Sequence, residues 1–372
     1  MDNKVLDKTK FNIFNFLSTF ARSLIEIFIA LYLFNNGFSI NAIIIFYLFE
    51  NFFSIFLSYI FVRIGKSFHY AIPMFIGITA FIGLQFLLKN CHNTFYFILL
   101  TSFIYALYRR GYWVSRRFYI TNIMPKKKSS GSFSIMIVVG QLGSIFAGYL
   151  GSLCLDNLNI LYLTIISSIL LLISVIPLIL IKYEKTNEPI NLMDSIKKYK
   201  KPNYLAFSLY ELTNLLDFIF PIYIAIYIKN TYMMAGTINA ISNIAVIIFV
   251  LLYGRIIKNK NYFVLSSILL IMVSLSKLFM ANIFILIIYF VDGLVKKMQN
   301  QSVNKIYFEN QGNMDYTHYN LVYQIIESTI RTIVAIPLLF INNLKVMIVV
   351  VIMVITIELI IYLIIKKDEV LN

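Results

Sequence analysis

Arg22, Arg109, Arg110, Lys277, Lys296, Lys297 and Arg331 stand inside stretches that are otherwise apolar, and so, in equal number, do Glu26, Glu50, Glu211, Asp217, Asp292, Glu327 and Glu358. If those stretches lie in a bilayer, each charge costs at least ~3 kcal/mol at its centre, so these side chains must face partners or a wet cavity. Two kinds of chemistry are then open to them. A carboxyl group in a low-dielectric cavity holds its proton more tightly, and a cation brought near loosens it, so a moving cation can load and unload the acid. Arginine and lysine in turn recognise carboxylate and phosphate groups. Arg22 and Glu26, Asp292 and Lys296, and Glu327 and Arg331 are each four residues apart, which puts each pair on one helical face. Such pairs serve either a proton or substrate site or simple mutual neutralisation.

Asp217 has no cation on its own stretch and is the freest proton carrier; Glu26 and the locally unpaired Glu50 complete the proton-coupling candidates. The substrate-cavity candidates are Arg22, Arg109, Arg110, Asp292, Lys296, Glu327 and Arg331. Glu211 lies nearer a polar end, and Glu358 reads as a helix contact. Tyr32, Tyr108, Trp113 and Tyr223 are cavity candidates only by proximity to the charges. Pro73, Pro177, Pro221 and Pro337 can each kink a helix, and Pro221 follows Asp217 by one turn. In "ALYRRGYWVSRRFYI", Arg116 and Arg117 are explained by headgroups at a helix end, whereas Arg109 and Arg110 lie about 10 Å deeper. One of these two is expected to face the cavity.

The elements that hold these residues follow from composition. The 372 residues are 60% hydrophobic and 13% charged, with mean hydropathy +0.80, the balance of an integral membrane protein. Apolar runs long enough for a ~30 Å hydrocarbon core recur at approximately 11–34, 39–62, 70–88, 94–115, 131–154, 159–181, 203–228, 232–253, 262–281, 283–303, 317–340 and 346–365. The first is too long for a signal-peptide core and reads as a retained helix. One long polar segment splits the chain into a six-helix bundle over 1–181, a cytoplasmic linker over 182–202 and a second six-helix bundle over 203–372.

Alternate loops must share a side, and the split of charge between them is steep. One side collects Arg63, Lys66, Arg116, Arg117, Lys126, Lys127, Lys128, Lys182, Lys185, Lys197, Lys198, Lys200, Lys201, Arg255, Lys258, Lys260 and Lys305 with both termini, and the other keeps Lys89, Lys229 and Lys345. Both termini are therefore expected in the cytoplasm. The net charge of +15 follows from this topology and is not read as a nucleic-acid surface. Cys91, Cys154, His69, His92 and His318 have no metal-ligand spacing, so no metal or other cofactor is expected. No nucleophile–base set or phosphate loop points to an enzyme. The Ile, Asn and Lys content fits a bacterium with an AT-rich genome, which places the chain in the cytoplasmic (inner) membrane, and a monomer is expected.

The two halves repeat one another. "SLIEIFIALYLF" (Ser23–Phe34) lies over "NLLDFIFPIYIA" (Asn214–Ala225), pairing Glu26 with Asp217 and Tyr32 with Tyr223. "SYIFVRIGKS" is matched by "GRIIKNKN", and Arg109–Arg110 by Lys296–Lys297. With these features the chain resembles the major facilitator superfamily of secondary transporters along nearly its whole length. The loop after the second run is similar to that family's gating motif at Arg63, Gly65 and Lys66, with Val62 where the family has an acid. "GQLGSIFAGYLGS" resembles the glycine-rich antiporter motif of the drug-exporting branch through the helix-packing glycines Gly143, Gly148 and Gly151, with Gly148 in place of the usual proline.

The resemblance implies an all-α membrane fold of twelve transmembrane helices in two pseudo-symmetric six-helix bundles, the first and seventh facing each other across a central cavity. It implies alternating access, with proton-coupled export of a small amphipathic or anionic compound or peptide as the leading expectation. The partners expected are the lipid bilayer, protons and that substrate. Import of an anionic metabolite is the second transporter reading. A sensor or immunity protein kept on the same scaffold is the third, and fold alone never decides function.

Overall fold

Backbone N–H and C=O groups in hydrocarbon must be satisfied within the chain, and a helix does this locally. The computed structural model describes residues 3–123, 130–181, 192–197, 201–256, 262–279, 284–310 and 316–371, and every regular element among them is helical. In chain order these are α1 (Asn3–Ser23), a 3-10 turn (Glu26–Phe28), α2 (Ile29–Asn35), α3 (Ile40–Ser67), α4 (Ala71–Lys89), α5 (Phe95–Ile123), α6 (Ser130–Asn157) and α7 (Ile160–Ile179). The short α8 (Leu192–Lys197) precedes α9 (Lys201–Tyr227), α10 (Tyr232–Ile256), α11 (Phe263–Leu278), α12 (Ile285–Asn310), α13 (Tyr316–Leu338) and α14 (Leu344–Leu371).

Nine of the helical segments among the described residues, with α1 to α2 counted as one, are long and apolar enough to cross a membrane. Three further helices match expected runs but fall outside that test. α5 and α12 carry too much charge, yet their 29 and 26 residues rise about 44 and 39 Å, beyond the ~30 Å hydrocarbon core. α11, with 16 residues, rises only about 24 Å.

Several helices run past the ends expected from sequence, and the first apolar run is not one helix. Its helix ends at Ser23, passes through the 3-10 turn and restarts at Ile29. At the break, Ile25 N–H and Phe28 N–H donate to Arg22 and Ile25 carbonyls three residues back, at 3.2 and 2.9 Å. The expected gating loop is helical: Arg63, Gly65 and Lys66 lie in the last turns of α3, which runs to Ser67. α5 continues to Ile123, so Arg116 and Arg117 sit inside a helix and not at its end. Lys126, Lys127, Lys128, Lys182, Lys185, Lys198, Lys200, Lys258 and Lys260, with 182–191 and 198–200 of the expected linker, lie outside the described residues.

Packing repeats with a period of one half. α1 packs on α6 and α7, α3 on α5, and α4 on α5 and α7; α9 packs on α13 and α14, α10 on α12, and α11 on α12 and α14. The halves meet through α3 on α13 and α6 on α10, which exchange under the same repeat. Short connections force antiparallel neighbours, so 36–39, 90–94, 158–159, 228–231 and 339–343 gather at one end, here the short-loop end. The opposite end, toward which α3 and α5 finish with Lys66, Arg116 and Arg117, is called the basic end.

Close helix approaches explain the glycines. A Cβ at Gly143 would stand 3.0 Å from the Phe16 carbonyl, and one at Gly151 would strike the Leu24 carbonyl and stand 2.9 Å from the Phe28 ring, so both seat α6 against α1 and the break that follows it. Gly148 faces the other way, toward Gly236 and Asn239 of α10 in the second half. Gly65 leaves room for the Tyr70 ring, which stacks on Phe118 of α5 with centroids 3.6 Å apart. Arg63 is exposed, while Val62 and Lys66 are buried.

Candidate functional site

Three groups of charges occupy the middle of the bundle. The first is built on the break after α1. Arg22 Nη1 lies 2.8 Å from Glu26 Oε2, and the hydroxyls of Tyr105 and Tyr108 on α5 donate to the same carboxylate at 3.2 Å each. The Arg22 guanidinium lies over the Tyr112 and Trp113 rings, 5.1 and 5.3 Å from their centroids. Glu26 thus holds three polar partners where the helix is interrupted.

The second group joins the halves. Arg109 of α5 donates to Glu50 of α3 at 2.9 Å and to Glu327 of α13 at 3.2 Å, and Ser54 donates to the other Glu50 oxygen at 3.1 Å. Arg110 donates to Glu327 at 3.3 Å and to Gln324, while Arg117 reaches Glu327 at 3.7 Å. Arg331 lies 3.3 Å from Glu327 and also pairs with Glu211 of α9, which accepts a 2.8 Å hydrogen bond from Tyr323. Four guanidiniums therefore converge on the one Glu327 carboxylate.

The third group lies in the second half. Lys277 of α11 is 2.9 Å from Asp292 of α12 and lies over the Phe220 and Tyr289 rings. Asp292 also holds Lys296 at 2.6 Å, and Lys296 pairs with Asp217 of α9. Asp217 keeps 44% of its side chain exposed, against 1% for Asp292. Pro221, one turn after Asp217 in α9, has no N–H to donate to the Asp217 carbonyl.

Two adjoining cavities touch these groups. The larger, about 440 Å³, is lined by Arg22, Arg109, Arg116, Arg117, Lys297 and Arg331 against the two acids Glu211 and Glu327, with Trp113, Tyr210 and Tyr323 between them. The smaller, about 310 Å³, is lined by both Glu26 and Asp217, with Tyr47, Tyr105, Phe218 and Pro221. Arg109, Trp113, Asn214 and Arg331 belong to both, so the two form one polar space between the halves.

The three pairs spaced four apart all form, with Arg22, Lys296 and Arg331 each on its same-helix acid. Among the substrate-cavity candidates, Arg22, Arg109, Glu327 and Arg331 line the larger cavity. Arg110 does not: it is fully enclosed and turned to Gln324 and Glu327, because the neighbouring Arg109 already takes the cavity-facing position. Asp292 and Lys296 line neither space and act through Asp217. Glu50 is fully buried under Arg109.

Arg116 and Arg117, read as headgroup contacts, instead face the larger cavity, since α5 runs on past them. Glu211, set aside as too near an end, lines that cavity too. Lys297 faces it while its neighbour Lys296 does not, which only the packing of α12 decides. Trp113 lines both spaces and Tyr108 holds Glu26; Tyr32 and Tyr223 line neither. Glu358 accepts hydrogen bonds from Ser208 at 2.7 and 2.8 Å, a contact between α14 and α9.

A search of curated proteins returns no match. Among solved structures, the chain is similar to the crystal structure of a mutant of the nucleoside transporter NupG, with a TM-score of 0.67 over 96% of this chain and 99% of that one. The identity is 14%, so this likeness speaks for the fold. The family model described as Major Facilitator Superfamily matches residues 11–326. With its apolar helices and a charged cavity among them, the chain belongs to the Major Facilitator Superfamily and is a multi-pass membrane protein of the secondary-transport class.

Proposed function

We propose that this protein is a proton-coupled transporter in which two bundles, over 1–181 and 203–372, rock about the central cavity and export a small amphipathic or anionic solute. One observation carries the reading: Glu26 and Asp217, the acids paired by the internal repeat, line the same cavity from the two halves. Asp217 is the acid we assign to the proton. It is the more exposed of the two, and its partner Lys296 stays held by Asp292 when Asp217 is neutral. Protonation of Asp217 thus releases one side of Lys296 without stranding a buried cation. Glu50, enclosed beneath Arg109, serves in this scheme by positioning that arginine.

In a cytoplasmic membrane with both termini inside, the basic end faces the cytoplasm. The larger cavity extends toward that end through Ile120, Val303 and Asn304, the side from which an exporter loads. The antiporter-like glycines of α6 add to the case for export. A neutral nucleoside, the substrate class of the transporter that the fold resembles, suits the larger cavity less well than an anion does, because six cations there face two carboxylates. The same balance supports the second reading, uptake of an anionic metabolite, since an alternating cycle runs either way with its gradient.

The test is flux in proteoliposomes under an imposed pH gradient, against a panel of peptides, drugs and organic anions. Asp217→Asn is expected to abolish the response to the gradient while leaving solute counterflow. An unchanged pH-driven flux in that variant removes Asp217 from the coupling scheme.

A further inference from the structure

Of the six cations on the larger cavity, four are matched by carboxylates: Arg22 by Glu26, Arg117 by Glu327, Arg109 by Glu50 and Glu327, and Arg331 by Glu211 and Glu327. Lys297 and Arg116 have no carboxylate among the described residues. Lys297 is 8% exposed, and the one acceptor described for its ammonium is the Asn300 amide oxygen at 3.4 Å. Arg116 donates to the Asn15 amide oxygen at 3.3 and 3.0 Å and lies over the Trp113 ring, 5.2 Å from its centroid. Both side chains line the larger cavity, one from each half. Amide oxygens orient such groups but neutralise nothing, and two like charges lining one low-dielectric cavity are unfavourable until an anion joins them.

We infer that Arg116 and Lys297 form the binding site for the charged end of the transported solute, and that the solute is a small organic anion bearing a doubly charged group, a phosphomonoester fitting best, with a flat apolar part against Trp113. The inference rests on the transporter reading above for its word "transported"; the anion site itself rests on the two cations. Two uncompensated charges match a dianion better than a monocarboxylate. The guanidinium fork takes two oxygens of a phosphate side by side, and the ammonium supplies a point charge from across the cavity. Arg116 is on α5 and Lys297 on α12, one in each half, so a dianion held by both draws the halves together at the basic end. The substrate thereby contributes to closing the cavity behind itself.

Trp113 is the one tryptophan of the chain, and it lines both cavities, so intrinsic fluorescence reads the site directly. Purified protein in phosphatidylcholine nanodiscs is titrated with phenyl phosphate and, separately, with neutral benzyl alcohol. A saturable change with phenyl phosphate alone is expected, with Kd weakened about tenfold or more in Arg116→Gln and in Lys297→Gln. Lys297→Arg, which keeps the charge, retains binding. An equal response to benzyl alcohol, an unchanged Kd in both glutamine variants, or a loss in Lys297→Arg as large as in Lys297→Gln overturns the proposal. A lipid headgroup offers the same phosphate chemistry, so the titration is repeated in phosphatidylglycerol nanodiscs. An equal Kd there supports a solute site, and a Kd weakened tenfold assigns the two cations to lipid and overturns it. Failure of this test with the Asp217→Asn result intact removes the anion site only, and the reverse outcome removes proton coupling only.

Discussion

At the scale of single residues, Glu327 gathers more cations than any other acid among the described residues. Arg109, Arg110, Arg117 and Arg331 converge on it, and its side chain is 6% exposed. Removing one partner of a buried ion pair leaves a charge uncompensated at about 3–5 kcal/mol. Glu327→Gln is therefore expected to lower thermal stability in detergent by that order, whereas Glu358→Gln, on the α14–α9 contact, changes it by about 1 kcal/mol. Comparable melting temperatures for the two variants contradict the hub. Sequence spacing exposed only one of the four partners, Arg331, because the i to i+4 rule sees along a helix and not between helices. The other three come from α5, about two hundred residues away in the chain, and Lys296 on Asp217 and Arg109 on Glu50 escaped for the same reason. Arg116, Arg117 and Lys297 were legible as charges, but which way each faces is set by helix rotation.

At the scale of elements, the runs of apolar residues announced nearly every helix, and the errors lie at their ends. The runs were closed at 62 and 115, just short of Arg63 and Arg116, but helical hydrogen bonds belong to the backbone, so α3 and α5 continue through Arg63 and Arg117. The break after α1 had no herald: "RSLIEIF" (Arg22–Phe28) contains neither proline nor glycine. What marks it is a contact between helices. Gly151 of α6 brings its backbone against the Leu24 carbonyl at the break, where a Cβ would collide with that oxygen. Gly151→Leu should push the two helices apart, move Glu26 off Tyr105 and Tyr108, and cost about 1–3 kcal/mol of stability together with most of the transport. Gly83, with nothing within 4 Å of a Cβ, is the matched control, and Gly83→Leu is expected to leave both unchanged. Wild-type transport by Gly151→Leu contradicts this account of the break.

At the scale of the whole molecule, the all-helical membrane fold and its superfamily were legible from patterning, while the contacts that hold the halves together were not. Those contacts join loops and helix ends distant in sequence. At the short-loop end Asp156, in the last turn of α6, accepts from the Tyr232 and Met233 N–H groups that open α10, at 3.2 and 2.8 Å. These N–H groups have no partner inside their own helix, so a carboxylate from the other half caps α10. Asn41 and Asn342 meet at 3.5 Å at the same end, and Gly148 faces Gly236 beneath them. A cap of this kind is worth about 0.5–2 kcal/mol, which is roughly 2- to 30-fold in a two-state equilibrium. Because Asp156 reaches across the halves, that energy belongs to one state of the transport cycle and not to the stability of either half. Asp156→Ala should therefore open the short-loop end more often with little effect on folding. The measurement is the rate at which a membrane-impermeant maleimide labels Ser152→Cys, buried where α6 meets Gly236 of α10, in a background with Cys91 and Cys154 replaced by serine. A faster rate in Asp156→Ala, and a near-normal one in Asp156→Asn, which keeps an acceptor oxygen, identifies the cap as the latch. An unaltered rate in the alanine variant means that the Gly148–Gly236 contact between α6 and α10 holds this end closed without it.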